Sequence, residues 1–251
     1  MNLFNSSQSP FILPKKDEYS CSKTKELFNI TIPNGKLIFI PNFLDEKISS
    51  ELMDYFLETE NESDWKSTDW RTFEKENLAK IKFKNIDWQH NQIKIFGKML
   101  FEPRFSAWYG DKDANYSYSN LKLEPNSWNE KLLFVKNEIE KLISISELEN
   151  IKFNSVLMNW YRDGQDSMGW HSDNEKELGR NPVIASLNFG AARRFLFRNI
   201  KNKKEKVEFS LQNGLLLIMA GEIQHFWQHA IPKEAKIKTN RINLTFRTIK
   251  L

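Results

Sequence analysis

The chain has 251 residues, which suits one domain and is long enough to bury a full hydrophobic core. Apolar residues make up 40% and aromatic residues 13% of it, a composition that excludes a largely disordered protein. The formal net charge of +4 is compatible with a polyanionic partner but does not require one.

The first part of the chain, residues 1–33, is rich in Ser, Pro, Asn and Lys, and predicts a loosely ordered arm. It shows neither a signal peptide nor a membrane span, so we expect a cytoplasmic protein without a membrane partner. Cys21 is the only cysteine, which excludes a disulfide framework within the chain and favours a reducing compartment. Residues 34–251 show no linker and predict a single domain.

Two segments carry apolar residues at helical spacing. The first runs from Asp45 to Glu58, where Asp45 is a candidate N-cap, and the second runs from Trp128 to Ile143. A strand is predicted before the first helix, in the run LIFIPNF. We expect both helices to pack against a sheet.

From about residue 150 to 250 the pattern changes to short β-like runs separated by Gly, Asn or Pro. The runs are FNSVLMNWYR, PVIASLNFG, RRFLFRN, KVEFSL, GLLLIMA, HFWQHAI and RINLTFRTI. Many short strands with such turns predict a mostly β protein with a jelly-roll core. The two helices would then flank one outer face.

The last run places polar side chains at every second position. Because a strand points successive side chains to opposite faces, one face would carry two guanidiniums, an amide and a hydroxyl. Guanidinium pairs with carboxylate in bidentate fashion, so the face suits a dicarboxylate. The residues concerned are Arg241, Asn243, Thr245 and Arg247. The run VLMNWYR similarly directs Asn159 and Tyr161 to one face, where they can complete the hydrogen bonding of a carboxylate.

Histidines indicate a metal site. His171 and Asp173 are two residues apart, so on an extended segment they can share one metal ion, and a third ligand is needed. Spacing alone leaves His225 and His229 as equal candidates. Two histidines and one carboxylate on one side of a metal form the facial arrangement of non-haem Fe(II) oxygenases. His90 has no such neighbours and is expected to be an ordinary histidine.

A basic run contains seven Lys and Arg residues between positions 193 and 206 and is interrupted by Glu205. It predicts either a solvated surface or a contact with phosphates, in which Lys233, Lys236 and Lys238 would join. Its members are Arg193, Arg194, Arg198, Lys201, Lys203, Lys204 and Lys206.

Three strings, HSD at 171–173, HAIP at 229–232 and RINLTFR at 241–247, together resemble the AlkB family of Fe(II)- and 2-oxoglutarate-dependent dioxygenases. The resemblance extends roughly from Leu37 to Ile249 and is closest to the nucleic-acid repair members. It includes the strings PRFSAWYGD, YSYSN, NWYRDG, SLNFGAARRFLFR and WQHAIPKE.

The resemblance implies a double-stranded β-helix, which is a jelly roll, and a role for each matching residue. His171, Asp173 and His229 would bind Fe(II), in preference to His225, and O2 would react at that iron. Arg241 and Arg247 would hold the two carboxylates of 2-oxoglutarate. The pocket for this cosubstrate would be completed by Asn159, Tyr161, Asn243 and Thr245.

The resemblance also implies an N-terminal nucleotide-recognition lid over about residues 90–125. Its aromatic and apolar groups would stack on a flipped base. The matching positions are Phe96, Gly97, Lys98, Tyr116, Ser117 and Tyr118. Glu175 matches an acidic residue that approaches the base edge, and Asn174 stands where some relatives carry an additional acid.

The implied activity is oxidative demethylation of N-alkylated bases in DNA, of the 1-methyladenine and 3-methylcytosine type, with release of formaldehyde and succinate. Alkylated DNA, or RNA, would be the partner of a monomer that has no obligate protein partner. Two alternatives remain. One is the same chemistry on RNA, protein or lipid, and the other is a nucleic-acid-binding module whose metal site is not catalytic.

Overall fold

The structure is a computed structural model that describes residues 10–60, 81–95, 97–114, 116–118, 121–144, 148 and 151–250. The strands are β1 (Phe11–Ile12), β2 (Ser20–Thr24), β3 (Leu27–Ile32), β4 (Gly35–Ile40), β5 (Gln92–Ile95), β6 (Lys98–Phe101), β7 (Phe105–Gly110), β8 (Tyr116–Tyr118), β9 (Leu121–Leu123), β10 (Ser155–Tyr161), β11 (Met168–His171), β12 (Ile184–Gly190), β13 (Arg193–Asn199), β14 (Lys206–Leu211), β15 (Leu216–Gly221), β16 (Trp227–Ile231) and β17 (Arg241–Arg247). The α-helices are α1 (Glu46–Leu57), α2 (Glu130–Ser144) and α3 (Ile223–Phe226), and a 3-10 helix spans Lys176–Leu178.

Two antiparallel sheets form the core of the fold. The major sheet has eight strands in the order β2-β3-β4-β15-β12-β17-β10-β7, and the minor sheet has five in the order β1-β14-β13-β16-β11. Apolar side chains from both sheets meet between them, for example Phe39 and Leu217 from the major sheet and Phe197 and Phe209 from the minor one. This mostly β jelly roll confirms the predicted fold class.

Helices α1 and α2 cover the other face of the major sheet. Leu52 and Phe56 of α1 and Val135 of α2 are buried there, against apolar residues of the major sheet. The Asp45 carboxylate accepts a hydrogen bond from the backbone N–H of Ile48 at 2.8 Å, which is the predicted N-cap. Both helices are therefore confirmed, with ends within two residues of those predicted.

The alternation of β17 decides where the candidate site lies. Ile242, Leu244 and Phe246 belong to the core beneath the helices. The polar residues between them consequently face the minor sheet, because successive strand residues point to opposite faces. A polar cavity therefore lies between the two sheets.

The prediction of a loosely ordered arm is wrong for residues 10–33. Strand β3 pairs with β4 in the major sheet and buries Ile30 and Ile32, while β1 pairs with β14 in the minor sheet. The polar composition arises because β2 is an edge strand whose five residues are all exposed. Residues 1–9 lie outside the described residues.

The segment predicted as a lid contains two hairpins around a sheet strand. Strands β5 and β6 form one hairpin, and β8 and β9 form the other. Strand β7 between them pairs with β10 as the outer strand of the major sheet. In the described part of the chain, no helix is both long and apolar enough to cross a membrane.

Candidate active site

His171, Asp173 and His229 come together on the minor sheet. Strands β11 and β16 are antiparallel neighbours, and their register places His171 opposite His229. Asp173 follows two residues after the end of β11. One potential ligand atom from each residue lies within 4.8 Å of the other two, and the two imidazole centroids are 4.2 Å apart. The three side chains can therefore share one metal ion.

His225 is excluded from this cluster by a local helix. The run HFWQHAI was predicted as one strand, but residues 223–226 form α3, so the strand begins only at Trp227. His225 is exposed on α3, whereas His229 is buried on β16. The two histidines therefore do not share a strand face, and of the two it is His229 that the structure brings beside Asp173.

Hydrogen bonding and burial prepare the imidazoles to act as neutral ligands. The Nδ1 atom of His171 lies 2.8 Å from the carbonyl oxygen of Gly169, which can only accept, so Nδ1 carries the proton and Nε2 keeps its lone pair. Burial lowers the pKa of His171, and it lowers the pKa of His229 to about 3. Both side chains are neutral at pH 7, as a metal ligand must be.

Asp173 is ionised in spite of being buried. Burial alone, the largest single effect, would raise its pKa, but the Arg247 guanidinium and the imidazoles of His229 and His171 together outweigh it, and the pKa is lowered to about 2. Arg247 Nη2 donates to Asp173 Oδ1 over 2.9 Å. The Asp173 Oδ2 atom lies 4.0 Å from His229 Nε2, on the side of the other two candidate ligands.

Two polar side chains fix the backbone that carries Asp173. The buried amide of Gln224, on α3, accepts a hydrogen bond from the backbone N–H of Asp173 at 3.0 Å. The Ser172 hydroxyl donates to the carbonyl of Trp227 at 2.8 Å. The segment around His171 and the segment leading to His229 are therefore joined to each other independently of any metal.

A polar cavity between the sheets continues from this cluster. The register places Asn159 of β10 opposite Asn243 of β17, and Tyr161 opposite Arg241. The side chains that line the cavity include every residue predicted for the metal and the cosubstrate: Asn159, Tyr161, His171, Asp173, His229, Arg241, Asn243, Thr245 and Arg247. The structure thus assembles that predicted set in one place.

Arg241 lies at the other end of β17 from Arg247 and is prepared to bind an anion. It is 2% exposed, and burial lowers its pKa to about 10. Its Nη2 atom donates to Asn188 Oδ1, and its Cζ lies 4.9 Å from the centroid of the Tyr161 ring. Within the described residues, Nε and Nη1 of Arg241 make no hydrogen bond. Buried donors of this kind fit a carboxylate, which accepts in bidentate fashion.

The donor set fits Fe(II) as well. Two imidazole nitrogens and one carboxylate form the 2-His-1-carboxylate triad, in which three protein ligands leave further positions of the metal open. The Nδ1 atom of His229 is also buried and has no hydrogen-bond partner in the described part of the chain. An arginine-lined cavity adjoins these ligands, so the structure can hold a metal and a dicarboxylate side by side.

Comparison with known proteins agrees with this geometry. A family model described as the 2OG-Fe(II) oxygenase superfamily matches residues 36–247, most of the chain. The chain belongs to the 2OG-Fe(II) oxygenase superfamily. Fe(II), 2-oxoglutarate and O2 are the reagents of this superfamily, which confirms the predicted cofactors.

The chain is also similar to proteins named as alkB homologues, as the sequence resemblance indicated. Over 157 residues it is 46% identical to alpha-ketoglutarate-dependent dioxygenase alkB homolog 3 of Bos taurus, covering 59% of this chain and 52% of that protein. Over 167 residues it is 36% identical to DNA oxidative demethylase ALKBH2 of Homo sapiens, covering 64% and 62%. The chain thus matches between half and two thirds of the length of these curated relatives.

Among solved structures, the chain is similar to one described as "The structure of OsALKBH1". The TM-score is 0.53, and the alignment covers 84% of this chain and 96% of that one. The sequence identity is 14%, so the likeness concerns the fold alone.

Sequence reasoning missed several residues of the candidate site. Ser186 lines the cavity and accepts a hydrogen bond from Asn243 Nδ2 at 2.8 Å, and Asn188 holds Arg241. Both lie on β12 two residues apart, in the run SLN, and the same alternation that selected Asn159 would have selected them. Gln224 gave no such signal, because its role depends on the short helix α3.

The residues predicted to bind the base are placed only in part. Phe96 lies outside the described residues, and so do the side chains of Tyr116, Ser117 and Tyr118, although their backbone forms β8. Gly97 occupies the tight turn between β5 and β6 with a φ of 80°, a conformation that favours glycine. These base-binding assignments therefore stay predictions.

The other base-binding candidates lie on described surfaces. Lys98 is exposed at the start of β6. Asn174 is exposed and Glu175 is half-buried, directly after the candidate ligand Asp173 and before the 3-10 helix. They are near the cluster in the chain, but the cavity lining described above does not include them.

His90 has the ordinary structural role that was expected of it. Its ring stacks between Phe101 and Phe105, with centroids 4.6 and 4.5 Å away, and its Nε2 lies 2.9 Å from the carbonyl oxygen of Glu102.

The basic run divides into buried and exposed members. Arg193 is 1% exposed and donates to the carbonyls of Asp163, Asp166 and Pro232, so a phosphate contact by this residue is excluded. Arg198 lies over the Trp170 ring at 4.2 Å.

The interrupting acid of the run, Glu205, forms an ion pair with Lys16. The members that remain exposed to solvent on or near the turn before β14 are Lys201, Lys203, Lys204 and Lys206.

Proposed function

We propose that this oxygenase demethylates N-alkylated bases in DNA, of the 1-methyladenine and 3-methylcytosine type, and releases formaldehyde and succinate. The observation that carries the proposal is the cavity in which His171, Asp173 and His229 adjoin the buried Arg241 and Arg247. The substrate class is supported by the similarity to proteins named alkB homolog 3 and DNA oxidative demethylase ALKBH2.

In this proposal His171, Asp173 and His229 hold Fe(II) through two neutral imidazoles and one carboxylate. Bound together, Fe(II), 2-oxoglutarate and O2 supply the oxidising power that attack on an N-methyl C–H bond requires. General acid or base catalysis alone contributes only about 10² to 10⁴-fold and would not suffice for such a bond.

The arginines bind and orient the cosubstrate. Arg241, with Nε and Nη1 directed at no protein acceptor in the described residues, would hold the carboxylate far from the metal. Arg247 would stabilise the negative charge at the metal end while it holds Asp173. The apolar residues around the cavity, among them Phe195, Met219 and Ile231, exclude water from it.

The test is direct. The protein is incubated with Fe(II), 2-oxoglutarate and methylated single- or double-stranded DNA oligonucleotides, and the products are weighed by mass spectrometry. Demethylation removes about 14 mass units for each methyl group from a flipped or unpaired base. His171→Ala should abolish both this loss and succinate formation, while Lys112→Ala, an exposed control, should retain them.

The same experiment, repeated with methylated RNA oligonucleotides, separates the alternatives. Loss of mass only from methylated RNA would assign the chemistry to RNA. Succinate formation without any loss from nucleic acid would favour a protein or lipid substrate. Binding of oligonucleotides without formation of succinate would favour a module with a non-catalytic metal site. Either of these last two results would contradict the repair proposal.

We further propose that residues 34–251, together with the strands that residues 10–33 add to both sheets, act as one domain, as a monomer without an obligate protein partner, in a reducing compartment such as the cytoplasm. The exposed free thiol of Cys21 is compatible with that compartment. Sedimentation of the purified chain tests the first part, and imaging of a tagged chain in cells tests the second.

A further inference from the structure

Glu102 and Arg104 form a buried ion pair next to the cavity. They lie in the short connection between β6 and β7 and are 2% and 3% exposed. Arg104 Nη2 donates to Glu102 Oε1 over 2.6 Å. A buried ion pair adds little net stability, because desolvation offsets the attraction of the charges. The pair therefore contributes more through the groups that it positions than through its own stability.

The pair is joined to the wall of the cavity through Asn159. Arg104 Nε donates to Asn159 Oδ1 over 2.9 Å, across 55 positions of the chain. A guanidinium has donors only, so the amide atom that faces Arg104 must be the oxygen. Because Asn159 lines the cavity, its NH2 group is the part of the amide left for a ligand there.

This orientation matters for a carboxylate. A carboxylate only accepts hydrogen bonds, so it can pair with the NH2 group of Asn159 and is repelled by the amide oxygen. Without Arg104 the amide could rotate and present either atom. We propose that Glu102 and Arg104 are positioning residues for the cosubstrate, which hold Asn159 with its NH2 group toward the dicarboxylate. The inference rests on the proposed function in that 2-oxoglutarate occupies this cavity.

The location of the pair gives it a second contact. Glu102 follows directly after β6, the second strand of the β5–β6 hairpin, and its backbone N–H donates to the carbonyl of Asn91 before β5. Strand β7 then places Ser106 opposite Asn159 on β10. Glu102 therefore contacts the base of the hairpin through its backbone and Arg104 through its side chain.

The experiment measures cosubstrate affinity rather than turnover. Glu102→Gln with Arg104→Met removes both charges at once, so no buried charge is left uncompensated. Calorimetry with Mn(II) in place of Fe(II) gives the Kd of 2-oxoglutarate, and circular dichroism verifies the folded state. The matched control is Glu208→Gln with Arg194→Met, which neutralises an ion pair on the outer surface of the minor sheet.

We expect the Glu102/Arg104 double variant to bind 2-oxoglutarate roughly tenfold more weakly, which is the scale of one hydrogen bond to a charged group. Asn159→Ala should weaken binding by a similar factor. The triple variant should bind no more weakly than Asn159→Ala, because the pair acts through that residue. The affinity for Mn(II) should be the same in all these variants and the unmodified protein. The control double variant should bind 2-oxoglutarate with unchanged Kd.

Three results overturn the inference: unchanged affinity in the folded double variant, losses that multiply in the triple variant, or an equal loss of Mn(II) affinity, which would indicate general distortion. If the double variant does not fold, Arg104→Lys replaces it, since an ammonium keeps the charge but not the fork that contacts both Glu102 and Asn159. Failure of the unmodified protein to bind 2-oxoglutarate would instead contradict the proposed function.

Discussion

Arg247 donates a hydrogen bond from Nη2 to Oδ1 of Asp173, 2.9 Å away, and both side chains are almost fully buried. One of the two arginines predicted to bind the cosubstrate therefore contacts one of the three candidate metal ligands. The metal end and the cosubstrate end of the cavity are coupled through this pair.

Replacement of Arg247 by Met should expose that coupling. The Asp173 carboxylate would be buried without its countercharge, so we expect the metal-free protein to lose about 3–5 kcal/mol of unfolding free energy. Mn(II) should narrow the gap between variant and unmodified protein, because the cation replaces the guanidinium as the countercharge. Urea unfolding with Mn(II) and with a chelator measures both values.

The control for this prediction is Arg241→Met. Arg241 is equally buried, but its side-chain donor bond goes to the neutral Asn188, so its removal leaves no carboxylate uncompensated. Destabilisation of Arg247→Met that is the same with and without Mn(II) would contradict the coupling.

The buried His229 predicts a loss of stability in mild acid. Its pKa is lowered from 6.5 to about 3, so below pH 6.5 the unfolded chain binds a proton that the folded chain does not. Stability should consequently fall as the pH falls from 6.5 toward 3, by about 2 kcal/mol between pH 7 and pH 5 for this residue alone. Urea unfolding in the presence of a chelator measures the change.

His229→Gln should remove this part of the pH dependence, whereas His225→Gln, at an exposed position of α3, should retain it. Equal pH dependence in the unmodified protein and in His229→Gln would show that the imidazole titrates normally in the folded state.

The geometry of Arg241 predicts that charge alone is not enough for cosubstrate binding. Arg241→Lys keeps a cation in the cavity, but one ammonium cannot reproduce a planar fork. We expect 2-oxoglutarate to bind roughly tenfold or more weakly, as for the loss of a charge-assisted hydrogen bond. Calorimetry with Mn(II) measures the Kd. An unchanged Kd, equal to that of the surface control Arg194→Lys, would count against Arg241 as a cosubstrate ligand.

Local patterns were sufficient for much of this site. The alternation in RINLTFR separates Ile242 and Leu244, under the helices, from Arg241 and Asn243, in the cavity, because a strand has only two faces. The helices α1 and α2 were predictable for the same reason, since their caps and apolar spacing are contained within one short segment. Such features depend on neighbours in the chain.

Other features depend on contacts that no local pattern encodes. Arg104 and Asn159 meet only because β7 pairs with β10 across 55 positions. Arg193 stands in a basic run but is buried by carbonyls from distant loops. The polar β2 resembled a loose arm because an edge strand exposes its residues, and only its pairing with β3 reveals it as a strand.

The exposed lysines near the start of β14 predict how nucleic acid binding depends on salt. Lys201, Lys203 and Lys204 are exposed, and the acid that interrupts them, Glu205, is already paired with Lys16. Binding weakens as salt rises, and each lysine that neutralises a phosphate adds about 0.7 to 0.9 to the magnitude of the negative slope of log K against log salt. Replacing all three by Ala should therefore reduce the magnitude of that slope by about 2 to 3. It should also weaken binding to every nucleotide sequence to a similar extent.

Fluorescence anisotropy with a labelled oligonucleotide, at several salt concentrations, gives the slope. The matched control replaces Lys47, Lys131 and Lys141 by Ala. These lysines are exposed on helices α1 and α2, on the far side of the major sheet, and their replacement removes the same net charge. Because long-range charge effects are common to both triple variants, only direct phosphate contacts can separate them. Equal slopes for the two would show that the lysines before β14 are an ordinary solvated surface.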